Sequence, residues 1–339
     1  MRAAVFQGVG RPLSIEDLPD PEPTARFAVV RVGACGICGT DLSITSGRGF
    51  LQMPAGWVLG HEYAGEVVAV GPEVERIRVG DHVTALAIPS CGRCPQCLQG
   101  DPQWCTGDEK RMGTGAYAEY TAIAESQAVT VPQGLSWSDG AMIEPVAVGL
   151  HGAKLARLAP DDRVLVIGAG PIGLGAVFWA RRMGAGKVVV MATSDHRRAF
   201  ADQVGATSFV AAGDDPVAET IDALGGAPDV VIEAAGAPGT IEQAMQIVKP
   251  TGTVVVLGWC TVPDSFVPAQ YLMKEIRLQF SMTYDVAEFR HAIDILEQDA
   301  APLRALVSSV VSLDELPEKF ETLRGPNTEC KVIIDPQAR

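Results

Sequence analysis

Four cysteines, Cys91, Cys94, Cys97 and Cys105, fall within one short stretch, separated by two, two and seven residues. Gly92, Pro95 and Gly100 let such a chain wrap around a tetrahedral ion, and four thiolates close the shell, which predicts a structural zinc site. A second set of candidates is dispersed: Cys38 in Cys35-Gly36-Ile37-Cys38-Gly39-Thr40-Asp41, His61 and Glu62 in Gly60-His61-Glu62-Tyr63, and Glu144 before Pro145. Thiolate, imidazole and carboxylate all suit zinc. Each also has an ordinary reading on its own: a core histidine, a glutamate beginning a helix, a loop-capping Asp41. The third constellation is Gly168-Ala169-Gly170-Pro171-Ile172-Gly173. In a dinucleotide site Gly168 makes the tight turn, Gly170 lets the backbone approach the pyrophosphate, and Gly173 lets helix and strand pack, with Pro171 and Ile172 opening the helix.

These residues need elements to hold them. The fingerprint follows an apolar run, Val164–Ile167, and precedes a segment with Ile172, Ala176, Ala180 and Met183 at helical spacing. Further short runs at Lys187–Met191, Ser208–Val210, Val230–Ile232 and Thr253–Leu257, separated by helix-length segments, predict a doubly wound parallel sheet. Before it the chain is broken often by Gly and Pro around β-branched runs such as Phe27–Val32, Glu66–Val70 and His82–Leu86, which predicts a strand-and-loop domain. Val286–Leu296 has helical spacing, and Lys331–Ile334 reads as a strand rejoining the first domain.

The end of the second parallel strand selects the cofactor. An acidic residue there would bind the ribose hydroxyls of NAD, whereas Ala192 stands at that place, followed by Thr193, Ser194, Arg197 and Arg198. Hydroxyls and guanidinium groups suit a 2'-phosphate, so NADP is favoured over NAD. The alternative has Asp195 on the ribose and both arginines solvated.

Taken together, the 35–41, 60–62, four-cysteine, Glu144-Pro145 and glycine motifs resemble, in order and spacing, the zinc-containing medium-chain dehydrogenase/reductase family over essentially the whole chain. The resemblance implies an α/β fold with a GroES-like β-rich catalytic domain at 1–147, a doubly wound Rossmann cofactor domain at 148–284 and a return to the first domain at 285–339. In the family's polyol-type and threonine-dehydrogenase-like branches, the residues matching Cys38, His61 and Glu62 bind a catalytic zinc, and the one matching Glu144 is a direct or exchanging ligand. Asp41 then looks like the partner that orients His61. The hydroxyl matching Thr40 passes the alcohol proton toward the cofactor ribose and on to a histidine, a place held here by Ser43. A homodimer or homotetramer is implied as well.

The expectation is therefore a zinc-dependent oxidoreductase, with one catalytic and one structural zinc per chain, moving a hydride between NADP(H) and a secondary alcohol, ketone or polyol. Two alternatives are an NAD-dependent polyol or butanediol-type dehydrogenase and a zinc-binding protein without catalysis. Phe50, Leu51, Met53, Trp57 and Trp259 are candidates for an apolar substrate pocket. The formal charge of −14 argues against a nucleic-acid partner, and the longest uncharged stretch, 164–180, holds four glycines and a proline and is too short to span a membrane. Cysteines crowded into a metal-type loop fit a reducing compartment, so a cytoplasmic location is expected.

Overall fold

The β-branched runs of the chain assemble into two sheets of different kinds, in a computed structural model that describes residues 1–48, 52–107 and 114–338. The chain divides into two compact units, Met1–Glu144 with Tyr284–Arg339, and Pro145–Thr283.

In the first unit the long strand Phe27–Gly36 is central, pairing antiparallel with Glu62–Val70, Tyr120–Ala124 and Lys331–Asp335. The sheet continues through His82–Ala85 to Ala128–Thr130 on one side, and on the other through Lys331–Asp335 to the parallel Val307–Ser312. Both main strands extend beyond their sequence-level limits. Phe27–Gly36 runs past Gly33, where an added Cβ would strike the Trp137 indole. Glu62–Val70 begins before Gly65, where an added Cβ would strike the Arg31 carbonyl. Glycines that read as breaks are points of close packing within strands. The sheet's apolar face buries Phe6, Val30, Val67, Ile123, Phe320 and Val332 in one cluster.

The second unit is a six-stranded parallel sheet in the order Ser208–Ala211, Lys187–Ala192, Arg163–Ile167, Val230–Glu233, Thr253–Val256, Arg277–Phe280. Numbered within the unit this is 3-2-1-4-5-6, the dinucleotide-binding order of the Rossmann fold. Its interior strands are apolar except at their ends, at Arg163, Lys187, Glu233 and Thr253, as a sheet covered on both faces requires. Among the described residues no helix is long and apolar enough to cross a membrane.

Candidate metal centres and dinucleotide site

The strand Phe27–Gly36 delivers the chain to Cys38, which caps the helix Gly39–Thr45. The cap is reciprocal: Thr40 N donates to Cys38 Sγ at 3.4 Å, and Cys38 N donates to an Asp41 carboxylate oxygen at 3.3 Å. Asp41 is buried, and its other oxygen lies 3.4 Å from His61 Nδ1. Loop cap and histidine partner, set apart as alternatives in the sequence, are both provided by this one side chain. His61 follows Gly60, whose φ of +94° and contact with the Tyr117 ring require glycine. Glu62, the first residue of the strand Glu62–Val70, is fully buried and packs over Gly36, where a Cβ would overlap its carboxylate.

Cys38, His61 and Glu62 thus bring one ligand atom each to within 4.8 Å of one another. Glu62 Oε1 is buried without a hydrogen-bond partner among the described residues, while Oε2 accepts from Lys331 Nζ at 2.5 Å. A buried carboxylate oxygen left bare beside a thiol and an imidazole fits a cation. Glu144 stands outside this group of three. It lies within the helix Trp137–Ala156, not at its start, with Pro145 next to it. Burial pushes its carboxyl up to about 7, with the neighbouring Glu62 adding to the rise against the opposing pull of His61 and Lys331. Burial disfavours the His61 imidazolium, but Asp41 and Cys38 outweigh it and raise its pKa well above the usual value.

Three side chains that hold this centre carry no signal in the sequence. Lys331 is 2% exposed and donates to Glu62 and, at 3.1 Å, to the Ile37 carbonyl. It heads an apolar strand, where a lysine ordinarily reads as a solvated end. Tyr117 donates its hydroxyl to Asp41 at 2.5 Å. Tyr284 is fully buried against Phe289 beside Glu144, and accepts from the backbone N–H of Ala87 at 3.1 Å. Burial, which no spacing rule reports, is what turns these hydroxyls and this ammonium toward the site.

Thr40 lies in the first turn of the helix Gly39–Thr45, half-buried. Ser43 donates its hydroxyl to the carbonyl of Arg48 at 3.1 Å, so handing a proton onward from Thr40 requires its hydrogen to leave that bond.

The four-cysteine loop gathers Cys91, Cys94, Cys97 and Cys105 as free thiols mutually within 4.8 Å. Two Sγ–Sγ separations are 3.9 Å, close to the edge of about 3.8 Å that a tetrahedron with 2.3 Å zinc–sulfur bonds would have. Backbone N–H groups of Cys91, Arg93 and Cys94 point at the sulfurs, from 3.3 to 3.5 Å, as thiolates in a metal loop need.

In the second unit, Gly168 follows the strand Arg163–Ile167 at φ +104°, and the helix Pro171–Arg182 starts with Gly170 as its cap. An added Cβ at Gly173 would meet the Gly168 carbonyl oxygen, whereas at Gly170 it would meet nothing within 4 Å. One glycine is needed for packing and the other opens onto free space. Pro171 and Ile172 form the helix's first turn. Ala192 is the last residue of its strand, and Thr193 and Ser194 are exposed after it. Arg197 caps the helix Arg198–Gln203, while Arg198 donates to the Phe209 carbonyl at 2.8 Å and stacks over that ring.

Of the pocket candidates, Phe50 and Leu51 lie outside the described residues. Met53 lines a cavity of about 310 Å³ with Val9, Ile44, Gly47 and Gln52. Trp57 and Trp259 are 38% and 41% exposed.

A Rossmann sheet carried on one chain with a β-rich unit holding two thiol-containing ligand clusters is the layout of a zinc-binding dehydrogenase. Comparison with known proteins agrees: the alcohol dehydrogenase GroES-like domain matches residues 25–133, and the zinc-binding dehydrogenase domain matches 171–298. The chain is 32% identical to sorbitol dehydrogenase of Bacillus subtilis over 99% of its length and 97% of that protein's. It is 31% identical to L-threonine 3-dehydrogenase of Saccharopolyspora erythraea over 99% of each chain. A zinc-binding dehydrogenase from Sinorhizobium meliloti, solved bound to NADP, superposes with a TM-score of 0.86 at 35% identity, covering 99% of each chain. The chain belongs to the zinc-containing medium-chain dehydrogenase/reductase family and is an oxidoreductase of the alcohol and polyol dehydrogenase type.

Proposed function

We propose that this chain is a zinc-dependent dehydrogenase that interconverts a secondary alcohol and its ketone using NADP(H). The observation that carries the reading is the convergence of Cys38, His61 and Glu62, with Glu62 Oε1 buried and bare beside them. These three would hold the catalytic zinc, with Glu144 near enough in charge to exchange with a solvent ligand; the four thiols would hold the structural zinc. When bound, zinc supplies Lewis acidity to the substrate oxygen and the nicotinamide supplies or accepts the hydride. Asp41, facing Nδ1, keeps the proton of His61 on that nitrogen and leaves Nε2 for the metal. Thr40 serves as the hydroxyl through which the alcohol proton enters or leaves.

The sorbitol and threonine dehydrogenases named above support a secondary alcohol, and the NADP-bound relative supports the cofactor. On this chain, Ala192, Thr193, Ser194 and Arg197 form the 2'-phosphate subsite; Arg198, engaged with Phe209, contributes charge from its remaining edge. Gly168, Gly170, Pro171, Ile172 and Gly173 receive the pyrophosphate. A second copy would pair along Arg277–Phe280, the sheet's outer strand, where Phe280 is 62% exposed.

Metal analysis of Cys38→Ser tests the assignment. The wild-type chain should hold two zinc ions and the variant one, with hydride transfer abolished. Two ions retained in an inactive variant would remove Cys38 from the ligand set.

A further inference from the structure

The Tyr117 hydroxyl is unexplained by packing. The ring is fully buried, edge-on to Phe320 at 6.3 Å and 75°, and stacked against the backbone of Gly60. Phenylalanine would fill that volume equally well. The hydroxyl adds a polar atom in a region where polar atoms are costly unless paired, and it is paired with Asp41 Oδ2 at 2.5 Å. That is the shortest contact recorded for the Asp41 carboxylate; the others are 3.3 Å from Cys38 N, on the same Oδ2, and 3.4 Å from Oδ1 to His61 Nδ1. Charge-assisted O–H···O⁻ bonds run to about 2.5–2.7 Å and are roughly twice as strong as neutral ones.

The tyrosine is itself held. Its backbone N–H donates to the Leu59 carbonyl at 2.9 Å, and its carbonyl accepts from Ala4 N at 2.8 Å. Leu59 precedes Gly60 and His61, so the hydroxyl and the imidazole hang from one bridged pair of segments. Asp41 sits between them, with Oδ2 tied to Tyr117 and Oδ1 turned to His61. Without the tie, Oδ2 keeps only the longer bond from Cys38 N at 3.3 Å, the carboxylate is held less firmly, and the direction it offers the His61 ring loosens.

We propose that Tyr117 is a positioning residue for the catalytic metal: its hydroxyl locks the Asp41 carboxylate, which locks the His61 ring, so that the imidazole keeps its grip on zinc. This rests on the reading of Cys38, His61 and Glu62 as ligands. Tyr117 touches neither metal nor substrate. Loss of a hydrogen-bonding partner of a ligating histidine typically costs about 10–100-fold in metal affinity, and one step further out the lower part of that range applies.

The experiment is the rate at which zinc passes from the intact protein to a chromogenic chelator, in wild type, Tyr117→Phe, Asp41→Asn and the double variant, with Phe320→Leu as a packing control. The wild type should release zinc in two phases, one for the three-ligand centre and one for the four thiols. Tyr117→Phe should speed the first phase about tenfold and leave the second unchanged. Phe320→Leu, which loosens the ring without touching the hydroxyl, should leave both unchanged. In the Asp41→Asn background the tyrosine change should add nothing, because the hydroxyl acts through Asp41. An unchanged first phase in Tyr117→Phe, equal acceleration of both phases, the same acceleration from Phe320→Leu, or full acceleration persisting beside Asp41→Asn would each overturn the proposal. A wild type releasing zinc from the thiol loop alone would overturn the ligand reading along with it, and that is visible before any variant is made.

Discussion

At the scale of single residues, the centre is defined as much by what holds the proposed ligands as by those ligands themselves. Glu62 is fully buried with one oxygen bare and the other on Lys331, itself 2% exposed. A buried ion pair contributes little net stability when intact, yet removal of one partner strands the other and costs about 3–5 kcal/mol. Lys331→Met should therefore destabilise the metal-free protein by about that amount in urea unfolding, and Glu62→Gln on top of it should restore most of the loss. Two single losses that simply add would mean the pair is not coupled. Cys38, His61 and Glu62 were marked as candidate ligands by their side-chain types and, as ligands, by the family resemblance rather than by spacing. Lys331, Tyr117 and Tyr284 went unmarked because their roles come from burial. A lysine at the head of Lys331–Asp335 and a tyrosine between Ala116 and Ala118 look like any others until the strands pair.

At the scale of elements, the glycine fingerprint separates into positions with different work. Gly173 supports the crossing of helix and strand, while Gly170 has an extended φ of −77° and nothing within 4 Å of an added Cβ. Gly173→Ala should lower stability by about 1–3 kcal/mol through overpacking against the Gly168 carbonyl. Gly170→Ala should leave thermal unfolding unmoved and weaken dinucleotide binding, read by titration of cofactor fluorescence. Equal binding by Gly170→Ala and wild type would place the pyrophosphate elsewhere. Next along the chain, Arg197→Ala should raise KM for NADPH far more than for NADH; an unchanged preference would reassign the ribose to Asp195. Parallel strands were legible because each is a short apolar run between helix-length segments, and all five sequence-level runs lie in the Rossmann sheet. The sixth, Arg277–Phe280, is partly exposed and alternates polar with apolar residues, and so gave no apolar run. In the β-rich unit, Gly33 and Gly65 hid the true lengths of the two main strands, since glycine at a close approach looks the same in sequence as glycine at a turn.

At the scale of the whole molecule, each unit carries its own chemistry. Met1–Glu144 with Tyr284–Arg339 holds both candidate metal clusters, and Pro145–Thr283 holds the fingerprint and the residues proposed for the 2'-phosphate. The returning segment is part of the centre's support: it supplies Lys331 to Glu62, Tyr284 to Glu144, and Arg324 to the end of the helix that carries Thr40, through the Leu42 carbonyl at 2.9 Å. The division of labour proposed for the two clusters makes the account testable in a single assay. Hydride transfer is followed at the NADPH absorbance band across a panel of secondary alcohols and ketones, before and after chelation that empties the three-ligand centre, and again after zinc is restored. The account predicts turnover of at least one alcohol–ketone pair, its loss on chelation while the protein stays folded, and its return with zinc. Turnover that persists with that centre emptied would contradict it.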